Sequence, residues 1–227
     1  MVTLEAAHSL YRIASFRHVV DLFESKQLRL SLPGSWGDPY EKLVDHARQN
    51  NGFAQCWPTR EGSDAMWRIY SPDGMGLSIH TTQGRLAQAL EDANATVPIQ
   101  YYVMGVDCLP DMDALHRANQ LVHDAEGAGQ TVRGEMATLL VKRATFDHEA
   151  EVRAIVHLLG DSIYGTAGSF LCLPVDPHKL IGQVAFDPRA DPVFTRTCSH
   201  YLRTSGHFAG EITRSRLYDL SESMIIV

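Results

Sequence analysis

The sequence predicts a single α+β domain over residues 1–227, with a mixed, mostly antiparallel β-sheet core, split or continuous, and flanking helices. Three observations point there. Segments whose apolar residues alternate are interspersed with segments whose apolar residues recur every three or four positions, the periods of strand and helix. The connections are irregular and lack the regular strand–helix–strand beat of a doubly wound parallel sheet. No repeat, linker or low-complexity tract divides the chain, and 227 residues suffice to bury a substantial core.

Leu10-Tyr11-Arg12-Ile13 reads as a short strand. Ser15 then suits the cap of a helix to about Lys26, with Phe16, Val19, Val20 and Phe23 at helical spacing. Gln27 to Leu32 alternates as a half-buried strand, and Pro33–Pro39 is a loop by its breakers. Asp38 and Pro39 suit the start of a helix running to about Gln49. A strand from Phe53 to Trp57 precedes a short helix, Asp64 to Tyr70, capped by Ser63 and closed by the turn Ser71–Gly74. Met75–His80 is a strand, Thr81 or Thr82 caps the next helix, and Val97–Met104 is a strand. Residues 105–142 form a helical insert, with Asp111 to Lys142 helical in two pieces broken around Gly127-Ala128-Gly129. After a Gly-rich turn near Asp161–Gly168 come strands at Ser169–Val175 and Ile181–Phe186. Asp191 caps a last helix that places Val193, Phe194, Cys198, Tyr201 and Leu202 on one side, and Glu211–Tyr218 closes as a strand.

The most informative stretch is Thr145 to His157. Read as a strand, it puts Ala150, Val152, Ala154 and Val156 on one face and Glu149, Glu151, Arg153, Ile155 and His157 on the other. Two carboxylates and a guanidinium then lie within about 14 Å along one face. Such groups titrate together, which is how acid/base sites are built and also how a solvated strand face looks.

A net charge of −7 opposes attraction to phosphate backbones and argues against non-specific nucleic-acid binding. Four scattered cysteines without a CxxC pair, and a start without a basic and apolar leader, suit a reduced cytoplasm. No apolar run approaches the roughly 20 residues that cross a bilayer. The chain lacks GxxxxGK[ST], GxGxxG after a strand and GxSxG, and Val152 breaks an HExxH reading of His148-Glu149. No metal site is expected.

Other residues could complete a pocket. Trp67 and Tyr70 lie three apart on a short helix, as core anchors or as a wall that stacks a planar ligand. Tyr11 and Arg12 point to opposite sides of a strand, and a guanidinium at a strand end can hold a phosphate or carboxylate. Asp38 stands at a helix start, as a cap or as a ligand contact.

The order of Leu10-Tyr-Arg, Gly37-Asp-Pro-Tyr-Glu41, Cys56-Trp, Ala65–Gly76, Lys142 and Phe146–Arg153 resembles a large bacterial family known as domain of unknown function number 2971. That resemblance covers most of the chain and is weakest between about 105 and 138. The family usually has Asn-Asp-Pro where this chain has Gly37-Asp38-Pro39. The strand with an aromatic–basic pair, the helix and strand after it, and a late Glu-X-Glu look like the ADP-ribosyltransferase layout, without that layout's Ser-Thr-Ser element. This likeness implies NAD as a substrate held between split sheets. It implies Glu151 as the catalytic carboxylate, Glu149 as its assistant, Arg12 on the pyrophosphate, Tyr11 lining the cleft, and Trp67 or Tyr70 on the nicotinamide.

Three functions follow as expectations. One is an enzyme on a nucleotide-like ligand such as NAD, by ADP-ribosyl or glycosyl transfer. A second is a non-catalytic sensor of a small anion, in bacterial stress or phage defence, using Arg12, Trp67 and Arg153. The third is an interaction protein whose acidic surface masks a partner.

Overall fold

The computed structural model describes residues 5–38, 52–159, 166–167 and 170–219. The helix expected from Pro39 to Gln49, and most of the turn expected at Asp161–Gly168, lie outside them.

β1 (Ser9–Ser15) runs into α1 (Phe16–Ser25), where the Ser15 hydroxyl accepts from the His18 N–H and Lys26 closes the helix in a left-handed conformation. β2 (Gln27–Ser31), β3 (Gly52–Pro58) and α2 (Asp64–Tyr70) follow, with Ser63 capping α2 through the Met66 N–H. Gly74, at φ +71°, makes the turn into β4 (Gly76–Thr82), and Thr82 caps α3 (Gln83–Asn94). β5 (Ile99–Gly105), β6 (Asp107–Leu109), α4 (Asp111–Gly127), α5 (Thr131–Thr138) and β7 (Val141–Arg143) come next. A 3-10 turn over Ala144–Glu149 leads into β8 (Glu151–Leu158). The chain ends with β9 (Thr166–Ala167), β10 (Phe170–Pro174), α6 (Pro177–Leu180), β11 (Gln183–Phe186), α7 (Pro192–Thr204) and β12 (Glu211–Arg214).

The strands form two main sheets. One has the order β1-β4-β11-β12 and the other β5-β8-β3-β2-β10-β9, with β6 and β7 as a small parallel pair. Pairing is antiparallel except at β11–β12 and β6–β7, so the mixed and mostly antiparallel sheet is present in split form. The main core joins both sheets and the helices: Leu10, Leu77 and Val184 from the first, Leu30, Phe53, Trp57, Val152 and Val156 from the second, Val19, Leu86 and Leu202 from helices. A smaller cluster of Ala54, Ile155, Met136, Leu139 and Leu140 lies under α5. Among the described residues no helix is long and apolar enough to cross a membrane.

Four expectations need correction. The strand read over Thr145–His157 begins only at Glu151, because the Ala150 N–H bonds back to the Asp147 carbonyl and Ala150 turns left-handed at φ 44°. The 105–142 insert is not all helix: its two helices are bracketed by β6 and β7, whose three-residue lengths leave little periodicity to read. Val193 is 59% exposed instead of facing the core with Cys198 and Leu202, since it sits in the first turn of α7. The last strand stops at Arg214, short of Tyr218.

Candidate functional site

β8 is buried on both faces, and the site follows from that. Val152, Ala154 and Val156 enter the main core as the alternation requires, while Glu151 and Arg153 point toward the smaller cluster and are only 6% and 1% exposed. The solvated reading of this face is therefore overturned. Charges buried this deeply persist only when paired.

The pairing partner is Lys142 of β7, which the sequence offered only as one place in the order of motifs and not as a site residue. Its Nζ donates to Glu149 Oε2 at 2.6 Å and to Glu151 Oε2 at 3.2 Å. Arg153 donates to that same Glu151 oxygen through Nε at 3.2 Å and Nη2 at 2.9 Å, and its Nη1 donates to the Leu139 carbonyl at 2.7 Å. The Arg153 guanidinium also lies 4.5 Å from the centre of the Trp36 ring. Glu149 belongs to the 3-10 turn, not to the strand, and the left-handed Ala150 returns its side chain to Lys142.

Burial raises the Glu151 carboxyl, but Arg153 and Lys142 outweigh burial and hold it below the ordinary carboxylate range. Burial lowers Lys142, and Glu151 and Glu149 reverse this and hold the ammonium above its ordinary value. Glu151 Oε1 makes no hydrogen bond. The Cys56 thiol stands beside this carboxylate and is pushed up to about 12, by burial first.

These groups line a cavity of about 620 Å³, within the range of roughly 300–1,000 Å³ found for small-molecule sites. Arg12 enters from β1, across the gap between the two sheets, and its Nη1 donates to the Cys56 carbonyl at 2.8 Å. Among the described residues it has no acidic partner within ion-pair distance. Burial pulls the Arg12 guanidinium below its ordinary value, opposed by Cys56, Tyr70 and Glu151. Five cations (Arg12, Arg29, Lys142, Arg143, Arg153) face three acids (Asp38, Glu149, Glu151), so the described lining is left positive. Trp36, Phe146, Phe170 and Tyr70 give it aromatic walls.

Of the residues singled out in the sequence, Arg12, Asp38, Tyr70, Glu149, Glu151 and Arg153 come together here. Two do not. Tyr11 points to the other side of β1 and meets His80 edge-on at 4.6 Å between ring centres. Trp67, one turn before Tyr70 on α2, is fully buried beside Gly62, so it is a core residue and lines no part of the cavity. Asp38 is there, but Arg143 holds it from Nη2 at 2.9 Å and Nε at 3.4 Å, so its carboxylate faces a protein cation. Lys142, Arg143, Arg29, Trp36, Cys56 and Phe146 were not identified as site residues. The only sequence signal for them was the place of Lys142, Cys56 and Phe146 in the order of motifs. Among the described residues no cluster of His, Cys, Asp and Glu could hold a metal ion.

No protein-family model and no curated relative matches the chain. Among solved structures it is similar to DarT of Thermus sp. 2.9 in complex with NAD+, with a TM-score of 0.45 and 11% identity over 94% of this chain and 98% of that one. The same protein in complex with ADP-ribosylated ssDNA gives a TM-score of 0.43 and 12% identity, over 95% and 97%. Its complex with carba-NAD+ gives 0.42 and 12%, over 94% and 98%. The resemblance to family number 2971 finds no support in the family comparison.

Proposed function

We propose that the protein binds a nucleotide-like ligand of the NAD class in this cavity and transfers its glycosyl or ADP-ribosyl group, with Glu151 as the catalytic carboxylate and Glu149 as its assistant. One observation supports this reading above the others. A single cavity holds a guanidinium that has no acidic partner among the described residues, Arg12, and a buried carboxylate with one oxygen unbonded, Glu151. The first suits a phosphate or pyrophosphate. The second suits a positive charge that appears only during reaction.

In such a transfer the bond from ribose C1′ to the ring nitrogen breaks, and its electron pair leaves with the neutral ring. C1′ becomes oxocarbenium-like, and a carboxylate near it lowers the barrier. An acceptor O–H or N–H then adds at C1′ and gives up its proton. A carboxyl held below its ordinary range is a weak proton acceptor, so Glu151 acts by charge and orientation. Proton removal falls to Glu149 or to water.

A second reading keeps the ligand and drops the chemistry. Three N–H groups converge on Glu151 Oε2, as they would if the carboxylate served only to position Arg153 and Lys142 around an anion. Glu151→Gln separates the two. Thermal-shift and titration experiments with NAD, ADP-ribose and inorganic pyrophosphate measure binding, and release of the free ring measures turnover. Transferase function requires that Glu151→Gln bind NAD within a few-fold of the unaltered protein and lose ring release by at least about 100-fold. NAD binding with no turnover in the unaltered protein selects the sensor. No binding by any of the three compounds defeats both.

A further inference from the structure

A smaller cavity of about 260 Å³ adjoins the first, and two guanidinium groups, Arg12 and Arg29, line both. They are held in different ways. Arg12 comes from β1 and donates to the Cys56 carbonyl at 2.8 Å. Arg29 comes from β2, where Leu28 and Leu30 enter the main core and the residue between them faces the opposite way. Its backbone is pinned on both sides, by the register pair with Cys172 of β10 and by Gln55 Nε2, which donates to its carbonyl at 2.8 Å.

The Arg29 side chain forms an ion pair with Asp21 of α1, Nη2 to Oδ2 at 2.8 Å, and among the described residues Asp21 is its one carboxylate partner. Asp21 lines the smaller cavity and not the larger, so the pair draws the guanidinium toward the side away from Glu151. The two side chains are 44% and 35% exposed. Water and salt screen a pair of that kind, and it shifts an equilibrium by about fivefold or less. A phosphate carries more charge than a carboxylate and offers a guanidinium two oxygens at once, so it competes well against such a partner.

We infer that Arg29 is a second phosphate-binding residue of the site, beside Arg12, and that Asp21 is an internal competitor that holds it aside until an anion enters. This rests on the reading of the first cavity as a phosphate site. With the Arg29 backbone pinned and only its side chain half exposed, the exchange from Asp21 to ligand takes side-chain rotation alone, without movement of the sheet. Asp21 therefore sets affinity without touching the ligand. The apparent affinity is the intrinsic one reduced by the fraction of molecules in which Arg29 is free of Asp21.

Titration calorimetry of the full chain with inorganic pyrophosphate tests this on four proteins: unaltered, Asp21→Asn, Arg29→Gln and the double variant. Both positions are solvent-accessible, so each variant should keep its Tm within about 2 °C and affinity is read on folded protein. Asp21→Asn frees the guanidinium and should tighten pyrophosphate about two- to fivefold. Arg29→Gln should weaken it about tenfold. Once Arg29 is gone there is nothing to release, so adding Asp21→Asn should change affinity by less than about 1.5-fold. A gain from Asp21→Asn that persists in full without Arg29 means that Asp21 acts only through its charge on the cavity, and it overturns the inference. Pyrophosphate binding that neither single substitution alters also overturns it and leaves the phosphate reading standing. Pyrophosphate that binds neither the unaltered protein nor Asp21→Asn overturns both.

Discussion

Replacing Arg153 by Met tests the buried charge cluster most directly. Met retains much of the aliphatic volume and deletes the guanidinium, which removes both bonds to Glu151 Oε2, the bond to the Leu139 carbonyl at 2.7 Å, and the stacking on Trp36. Glu151 is then a 6% exposed carboxylate with Lys142 as its remaining cation. Breaking a buried pair by removing one partner costs about 3–5 kcal/mol. The Leu139 carbonyl and the Trp36 contact overlap with that figure, since all belong to one network and do not add. A loss of about 4 kcal/mol in a chain of this size lowers Tm by roughly 8–16 °C. Urea unfolding at pH 7, followed by circular dichroism, measures it. The cycle with Glu151→Gln isolates the pair: the double variant should be more stable than the sum of the single losses predicts, by about 1–3 kcal/mol. A loss under about 1 kcal/mol for Arg153→Met, or strict additivity in the cycle, would refute the claim that these charges are buried and mutually dependent.

Two further outcomes follow from the same geometry. The Glu151 carboxyl sits below its ordinary value of 4.5, so the stability it contributes is full above that pH and disappears as pH falls through the lower folded value. Acid titration of the unfolding free energy should show this arm below about pH 4.5, and Glu151→Gln should flatten it; an identical acid arm in the variant contradicts the assignment. Trp67→Ala should cost about 3–5 kcal/mol as an emptied core site, yet leave pyrophosphate affinity per folded molecule unchanged. Weaker binding in that variant would restore Trp67 to the cavity wall.

Much of the local structure was legible because it depends on neighbours in sequence. Ser15, Ser63, Thr82 and Asp191 cap their helices as hydroxyl and carboxylate side chains do, and the Gly127–Gly129 break separates α4 from α5. Alternation along Val152, Ala154 and Val156 fixed their common face, since side chains on a strand point to opposite sides in turn. Alternation assigns faces but says nothing about what covers them. Whether the Glu151 and Arg153 face met water or protein depended on α5 and β7 folding over it, a matter of contacts between residues distant in the chain.

The same limit explains the site. That Arg12 and Tyr11 diverge was set by the pleat of β1, but which of them entered the cavity was decided by the gap between the sheets. Lys142 and Arg143 gave no periodic signal in a three-residue strand, and they became site residues only because β7 lies beside β6 at the cavity wall. The chain alone thus determined the longer elements, their caps and the two faces of β8, all governed by backbone geometry over a few residues. Burial, ion pairing and the convergence of Arg12 with Glu151 belong to the tertiary structure, because desolvation and charge pairing act through space between groups that the sequence keeps far apart.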